Sequence, residues 1–173
     1  HCPASNQKLA SGTARIIDLH VAGVNLALGT DGPASGNDLD LWLAMRLAGY
    51  AQKNTAKDPT VMPALDILRM ATINGARALH ADHLIGSLEV GKAADIIVLD
   101  ADSPSLTPIF DPHVAIVASA GRGDVMSVIV NGQVVVHEKR ILTINHAETV
   151  QKVHALGGVV MTAVEEVERS RRK

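Results

Sequence analysis

Apolar residues in the first part of the chain alternate between helical and strand-like spacing. In residues 13–22, Ala14, Ile17 and Val21 fall on one face of a helix, and Gly23 is suited to end that helix. Residues 24–28 form an unbroken apolar run of strand length, which leads into a loop containing Asp31. The pattern therefore predicts a helix, then a strand, then a loop.

Two longer helices are predicted after that loop. The first is expected to be capped by Asn37 or Asp38 and to run to about residue 53. The second is expected over residues 63–79, with Pro63 in its first turn. This order of elements is typical of parallel α/β folds. Functional residues in such folds gather at the carboxyl ends of strands, where His1 and Asp31 are expected to lie.

The pattern changes near Gly86, after which short β-branched runs dominate. Asn131-Gly132 separates the last two runs, and this dipeptide is a strong signal for a tight hairpin. A small β-domain segment is therefore expected over residues 86–142. The predicted strand runs are residues 96–99, 115–118, 128–130 and 134–136.

The spacing becomes helical again over residues 147–169, and Gly157-Gly158 is expected to interrupt that helix. The predicted organisation thus has three segments. Residues 1–85 form the α/β segment, residues 86–142 the β segment, and residues 143–173 a C-terminal helical segment.

Composition narrows the classes of partner. The chain has 173 residues, 47% of them apolar and 20% charged, which is typical of a globular protein with a core of its own. The net charge of -2 gives no reason to expect nucleic acid or a membrane as a partner. The lone cysteine, Cys2, fits a reducing cytoplasm. A start on His1-Cys2-Pro3, without an initiator Met, leads us to expect that the chain is part of a larger protein.

Asp31 is the strongest candidate for chemistry. It directly follows an apolar strand, where a carboxylate has an unfavourable desolvation free energy unless a cation compensates it. A metal ion would do so. A helix cap or a loop hydrogen bond explains the same position equally well, and the spacing alone does not decide between the two interpretations.

Residues 1–6 offer a second candidate, a pocket wall with imidazole, hydroxyl and amide groups from His1, Ser5 and Asn6. A tight turn in which these side chains bond to the backbone is the simpler local interpretation. No His-Glu-x-x-His zinc motif is present.

Taken together and in order, these segments resemble the amidohydrolase superfamily, in the branch that holds 5-methylthioadenosine/S-adenosylhomocysteine deaminases and triazine hydrolases. The resemblance covers most of the chain. It is carried by residues 1–6 (HCPASN), 8–12 (KLASG), 22–24 (AGV), 28–32 (LGTDG), 37–40 (NDLD), 70–72 (MAT), 74–76 (NGA) and 86–95 (GSLEVGKAAD).

The resemblance implies the C-terminal part of a distorted (β/α)8 TIM barrel plus part of a small β-sandwich. His1 would end strand seven and Asp31 strand eight. Asp31 would be a metal ligand and the proton shuttle for the attacking water, whereas His1 would not be a ligand. The cofactor would be one divalent metal ion, with zinc expected. The remaining ligands, His side chains, and a Glu acid/base would lie upstream of residue 1.

The implied function is hydrolytic deamination of the adenosine-type nucleosides 5-methylthioadenosine and S-adenosylhomocysteine. His1, Ser5, Asn6 and Ser35 would border the pocket for this small heterocyclic substrate. The alternative within the family is hydrolysis of another amino- or chloro-substituted heterocycle, such as guanine or an s-triazine, as in an N-ethylammeline chlorohydrolase. The alternative from another class is a catalytically incompetent structural fragment when the chain is isolated. A homo-oligomer is expected, because relatives are commonly dimeric or larger.

Overall fold

The computed structural model describes residues 1–171, which form a mixed arrangement of helices and one sheet. Six short helices fill the first half of the chain. They are α1 (Pro3–Lys8), α2 (Ile16–Val21), α3 (Pro33–Gly36), α4 (Leu41–Ala56), α5 (Ala64–Met70) and α6 (Ile73–Ala78). Within the described residues, no helix combines the length and the apolar character that crossing a membrane requires.

The first residues are helical and do not form the tight turn considered above. Helix α1 begins with Pro3, whose fixed φ suits the first helical position. Helix α2 starts at Ile16, three residues later than the predicted helix, and Ile16 is buried. The prediction of Asn37 or Asp38 as the cap of α4 is wrong. Asp40 caps it, accepting hydrogen bonds from the backbone nitrogens of Trp42 at 2.8 Å and Leu43 at 3.2 Å.

The single helix predicted over residues 63–79 is two helices, because the backbone breaks at Thr72 (φ -129°, ψ -102°). The Thr72 hydroxyl donates to the Leu68 carbonyl at 2.7 Å, a local bond that competes with the helical ladder. Gly49 explains the close packing of α4 on α5. A Cβ at this position would lie 2.7 Å from the Ile67 Cδ1 atom.

The strand predicted over residues 24–28 is not assigned in the structure: this segment, called here the extended segment, has no helix or strand of its own. It nevertheless pairs with the first residue. The His1 nitrogen donates to the Ala27 carbonyl at 2.8 Å, and the Gly29 nitrogen donates to the His1 carbonyl at 3.0 Å. In a parallel strand pair, the N–H and the C=O of one residue bond to the two residues on either side of its neighbour in the other strand, as they do here. The backbone of His1 thus lies beside the segment that leads to Asp31.

The second half contains a four-stranded antiparallel sheet in the order β1 (Ile96–Leu99), β2 (Val125–Val130), β3 (Gln133–His137) and β4 (Arg140–Ile141). The predicted hairpin is confirmed. Val130 pairs with Gln133, and Asn131 and Gly132 have φ values of 48° and 78°, as a type I′ turn requires.

The strand predicted at residues 115–118 is wrong. Pro112–Val114 is a short helix, α7, and Ala115–Ser119 continues it as a π-helix. The cause lies just upstream. The Asp111 carboxylate caps α7 by accepting from the nitrogens of His113 at 2.8 Å and Val114 at 3.2 Å, and Pro112 begins the turn. The chain therefore enters the apolar run already helical, and Val117 packs into the core.

The predicted break at Gly157-Gly158 is also wrong. Helix α8 runs without interruption over His146–Arg171, although each glycine is about 1 kcal/mol less favourable than alanine in a helix. All 26 of its residues are exposed. The core lies elsewhere, among α2, α4, α5 and the π-helix. Its buried members are Ile16, Leu26, Met45, Ala48, Met62, Ile67, Met70 and Val117.

Candidate active site at Asp31

Asp31 stands where the extended segment turns into α3, and its backbone is left-handed (φ 61°). Positive φ is uncommon outside glycine, and aspartate is among the residues that tolerate it. The loop is tightly closed, because a Cβ at Gly36 would lie 3.0 Å from the Thr30 carbonyl oxygen. This conformation leaves the Asp31 side chain exposed while its neighbours fix its orientation.

Each oxygen of the Asp31 carboxylate accepts one short hydrogen bond. The Ser5 hydroxyl donates to Oδ2 at 2.6 Å, and the Gly32 backbone nitrogen donates to Oδ1 at 2.7 Å. The Ser35 hydroxyl lies in the same loop and donates to the Gly32 carbonyl at 3.0 Å. It has a single hydrogen, so the Gly32 carbonyl and the Asp31 carboxylate compete for it.

These donors stabilise the ionised form of the side chain. The hydroxyls of Ser35 and Ser5 and the Gly32 N–H lower the pKa of Asp31 from 3.8 to about 2. The Ser5 hydroxyl makes the more direct contact, because it points at the carboxylate whereas the Ser35 hydroxyl bonds to a carbonyl. At neutral pH the side chain is therefore a carboxylate.

Helix α1 provides two side chains that contact the Asp31 loop. Ser5 is 4% exposed, so its hydroxyl is held by packing. One turn further on, Lys8 donates from Nζ to the Ser35 carbonyl at 2.9 Å and ties α1 to α3. Sequence reasoning did not assign a role to Lys8 or to the Gly32 N–H. The spacing of Ser5 and Lys8, three residues apart, was the available signal for a shared helix face.

The structure brings together three of the five predicted site residues, Asp31, Ser5 and Ser35. Within residues 1–171, neither the His1 nor the Asn6 side chain forms a hydrogen bond to Asp31. The His1 Nε2 atom is buried and has no hydrogen-bond partner among the described residues. A buried imidazole nitrogen in this state is available to a polar group from elsewhere.

The Asp31 carboxylate fits one position of a metal site. Its oxygens are exposed and keep lone pairs beyond the two that Ser5 and Gly32 use. Carboxylate oxygen is a normal zinc ligand, and a catalytic zinc usually has three protein ligands. Residues 1–171 contain no group of three or more His, Cys, Asp or Glu side chains placed to hold a metal ion.

A cavity between the helices and the sheet lies away from this carboxylate. It has a volume of about 540 Å³ and lies between the helices and β1, with a predominantly apolar lining that includes Trp42, Met45 and Ile96. Asp31, Ser5 and Ser35 do not line it. This cavity therefore does not indicate a substrate site beside Asp31. The candidate active site is the Asp31 loop itself.

Comparison with known proteins identifies the family of this chain. The model of the amidohydrolase family matches residues 1–135, and the chain belongs to that family. It is 44% identical over 160 residues to a 5-methylthioadenosine/S-adenosylhomocysteine deaminase of Syntrophobacter fumaroxidans. That match covers 92% of this chain and 36% of the deaminase, so the chain spans just over a third of the relative's length.

Two solved structures share the fold. An adenosine deaminase from Xanthomonas campestris with bound zinc superposes with a TM-score of 0.90 at 38% identity, over 94% of this chain and 37% of the other. Atrazine chlorohydrolase TrzN from Arthrobacter aurescens TC1, complexed with zinc, gives a TM-score of 0.81 at 31% identity, over 90% and 35%. The expected superfamily is therefore confirmed.

Proposed function

We propose that this chain supplies the metal-binding aspartate and one pocket wall of a metal-dependent aminohydrolase acting on adenosine-type nucleosides. The observation that carries the proposal is the exposed Asp31 carboxylate, which Ser5 and Gly32 hold ionised at the end of an extended segment. The similarity to a 5-methylthioadenosine/S-adenosylhomocysteine deaminase and to a zinc-containing adenosine deaminase supports the substrate class.

Asp31 would hold the divalent ion, with zinc the expected metal, through a carboxylate oxygen. When bound, the ion supplies Lewis-acid activation of a water molecule, lowering its pKa towards about 7. Asp31 would accept a proton from the water whose oxygen bonds to the ring carbon, and would pass it to the amino group, which leaves as ammonia when the carbon–nitrogen bond breaks. The remaining metal ligands and the general acid that protonates the purine ring are assigned to side chains outside residues 1–171.

The two fixed donors suit the ligand role of Asp31 more than its role as a base. A carboxylate with a pKa of about 2 is a weak base, so it carries the proton only transiently. Ser5 and Gly32 act as positioning residues, because they fix both carboxylate oxygens and leave one face of the group open. Ser35 and Asn6 would border the heterocycle, and the unpaired Nε2 atom of His1 would bond to a polar group of the complete site.

Hydrolysis of a different amino- or chloro-substituted heterocycle is the second candidate. The superposition on atrazine chlorohydrolase favours it. The reaction would use the same Asp31 geometry, because only the group that leaves the ring carbon differs. The two candidate functions therefore differ in the pocket wall that contacts the heterocyclic ring of the substrate.

A chimera tests the proposal. The matched segment of the Syntrophobacter fumaroxidans deaminase is replaced by residues 1–171 of this chain, so that the relative supplies the rest of the site. We expect zinc-dependent ammonia release from 5-methylthioadenosine and S-adenosylhomocysteine. A folded, zinc-loaded chimera that releases ammonia from neither nucleoside contradicts the proposal. Chloride release from an s-triazine under the same conditions would favour the second candidate.

The isolated chain provides the complementary test. With a single acidic ligand placed for a metal, it is expected to bind zinc weakly and to be inactive, as a structural part of the site only. One tightly held zinc per purified 173-residue chain would contradict this expectation.

A further inference from the structure

A bidentate ion pair connects the turn before β2 to the part of the chain that follows Asp31. Arg122 lies in this turn, and Asp38 is 84 positions away in the sequence. The Nη1 and Nη2 atoms of Arg122 each donate to one oxygen of the Asp38 carboxylate, both at 3.2 Å. Two parallel bonds between a guanidinium and a carboxylate fix the direction of the partner as well as its distance. The ion pair therefore holds Asp38 in one orientation.

Asp38 belongs to residues 32–39, which lie between Asp31 and the start of α4 and which we call the α3 segment. The backbone hydrogen bonds of this segment are internal, each joining residues three or four positions apart. Within residues 1–171, its hydrogen bonds to elements elsewhere in the chain are those from Lys8 to the Ser35 carbonyl and from Arg122 to Asp38. The Arg122 contact is thus the attachment at the end remote from Asp31.

The turn that carries Arg122 is itself held by other elements. The Asp124 carboxylate caps this turn and also accepts from the Ser105 hydroxyl at 2.6 Å. Arg46 of α4 donates to the carbonyl of the buried Ala120 at 2.8 Å. The backbone at Arg122 is therefore fixed independently of the ion pair. It follows that the ion pair constrains the α3 segment more than it constrains the turn.

The same guanidinium lies near the start of α4. Its Nε atom is 4.0 Å from an oxygen of Asp40, the carboxylate that caps α4. Arg122 thus faces two carboxylates and offsets the repulsion between them where the α3 segment joins the helix. A lysine at this position would supply the charge but not the planar fork of donors that matches Asp38.

We propose that Arg122 is a positioning residue of the active site, which acts through Asp38 to fix the α3 segment against the bound substrate. This inference rests on the proposed function, in which Ser35 of the α3 segment borders the heterocycle. The Asp31 carboxylate is oriented by two other donors and does not depend on this ion pair.

The role assigned to Arg122 affects substrate binding and leaves the chemical step largely unchanged. Without the ion pair, the α3 segment has more conformational freedom to lose when the nucleoside binds, so binding weakens. A raised KM at constant kcat is the kinetic sign of this loss. A loss of stability alone has the reverse effect, because fewer folded molecules lower kcat and leave KM unchanged. The two constants together therefore distinguish a positioning role from a structural one.

Arg122→Gln in the chimera is the first test. KM for 5-methylthioadenosine should rise by about fivefold, the upper range for an ion pair at a protein surface, while kcat stays within about twofold. Arg122→Lys should recover little of the loss, because its ammonium lacks the fork. Arg69→Gln is the matched control, since it removes an Arg–Asp ion pair within α5, and it should leave KM unchanged. An unchanged KM in Arg122→Gln, or a fall in kcat alone, overturns the proposal.

A double-mutant cycle tests whether Asp38 is the partner through which Arg122 acts. Asp38→Asn alone should also raise KM. The combination of Asp38→Asn with Arg122→Gln should raise KM no further than the more severe single variant, because one interaction is lost only once. Effects that multiply in the double variant would show that the two residues act separately, which contradicts the proposal.

Hydrogen exchange of the same chimera distinguishes this inference from the proposed function. If the folded, zinc-loaded chimera releases no ammonia, the proposed function fails, but the backbone amides of Gly36 and Asn37 in the α3 segment still report on the ion pair. Their exchange should be about fivefold faster in Arg122→Gln than in the parent and unchanged in Arg69→Gln. Equal exchange in the parent and Arg122→Gln overturns the positioning role, whether or not the chimera is active.

Discussion

Asp31 and Asp124 have almost the same hydrogen-bond donors but opposite surroundings. Asp31 accepts from the Ser5 hydroxyl at 2.6 Å and the Gly32 nitrogen at 2.7 Å. Asp124 accepts from the Ser105 hydroxyl at 2.6 Å and the Gly121 nitrogen at 2.8 Å. The Asp31 side chain is exposed, whereas Asp124 is 8% exposed and ends the 3-10 turn before β2.

The hydrogen-bond donors and the exposure of these two carboxylates have separate effects. Hydroxyl and backbone donors lower the pKa of both carboxylates. At Asp124, burial excludes any further ligand, so the group serves the turn that leads into β2. At Asp31 the same bonds orient a carboxylate whose remaining lone pairs face outward, and a metal ion can reach them.

We expect the largest effect from Asp31→Asn in the chimera, which should lose most of its activity. Asparagine keeps the shape but removes the charge and the proton acceptor, so ammonia release should fall by about 10²–10⁴-fold. Asp102→Asn, at an exposed aspartate outside the site, is the matched control and should leave the rate unchanged. A residual rate above about a tenth of the parent's would remove Asp31 from the chemistry.

Stability should show the opposite ranking. Asp124→Ala removes a buried carboxylate that accepts from the Ser105 hydroxyl and the Gly121 nitrogen, so the free energy of unfolding should fall by about 1–3 kcal/mol. Asp31→Ala should lower it by less, because water replaces the exposed carboxylate as acceptor for the Gly32 nitrogen and only the buried Ser5 hydroxyl loses its partner. Urea unfolding of the 173-residue chain measures both. Equal losses would mean that the two aspartates serve the same structural purpose.

The serine donors provide a smaller and more local test. Ser5→Ala removes the hydroxyl that points at Oδ2, and the pKa of Asp31 should rise from about 2 towards 3.8. Ser103→Ala, at a donor in the Asp124 turn, should leave the pKa of Asp31 where it is. Titration by NMR of the side-chain carboxyl carbon distinguishes these outcomes. An unchanged pKa in Ser5→Ala would make Ser5 only a packing residue.

Acid sensitivity should show the smallest difference. The folded-state pKa of Asp31 lies below its ordinary value of 3.8, so its contribution to stability is present above that value and is lost as the pH falls towards 2. The free energy of unfolding of Asp31→Asn should therefore fall less steeply than that of the parent between about pH 4 and pH 2. Identical slopes would show that Asp31 has an ordinary pKa.

Local signals predicted the hairpin at Asn131-Gly132, because a turn type is read from adjacent residues. The apolar run before Asp31 predicted a strand that the structure does not assign. Local signals also failed at residues 115–118, where β-branched composition lost to the Asp111 cap and to core packing of Val117. The carboxylate of Asp31 could be singled out from sequence. Its bond to Ser5 could not be foreseen, because it joins residues 26 positions apart and depends on how α1 lies against the loop.

The zinc content of the chimera tests the central claim most directly, namely that Asp31 is open to a metal ion and Asp124 is not. After dialysis against a weak chelator, the parent chimera and Asp124→Asn, each checked for folding, should retain one zinc per chain, whereas Asp31→Asn should lose it. Retention of a full equivalent by folded Asp31→Asn, with unchanged affinity, would contradict the account.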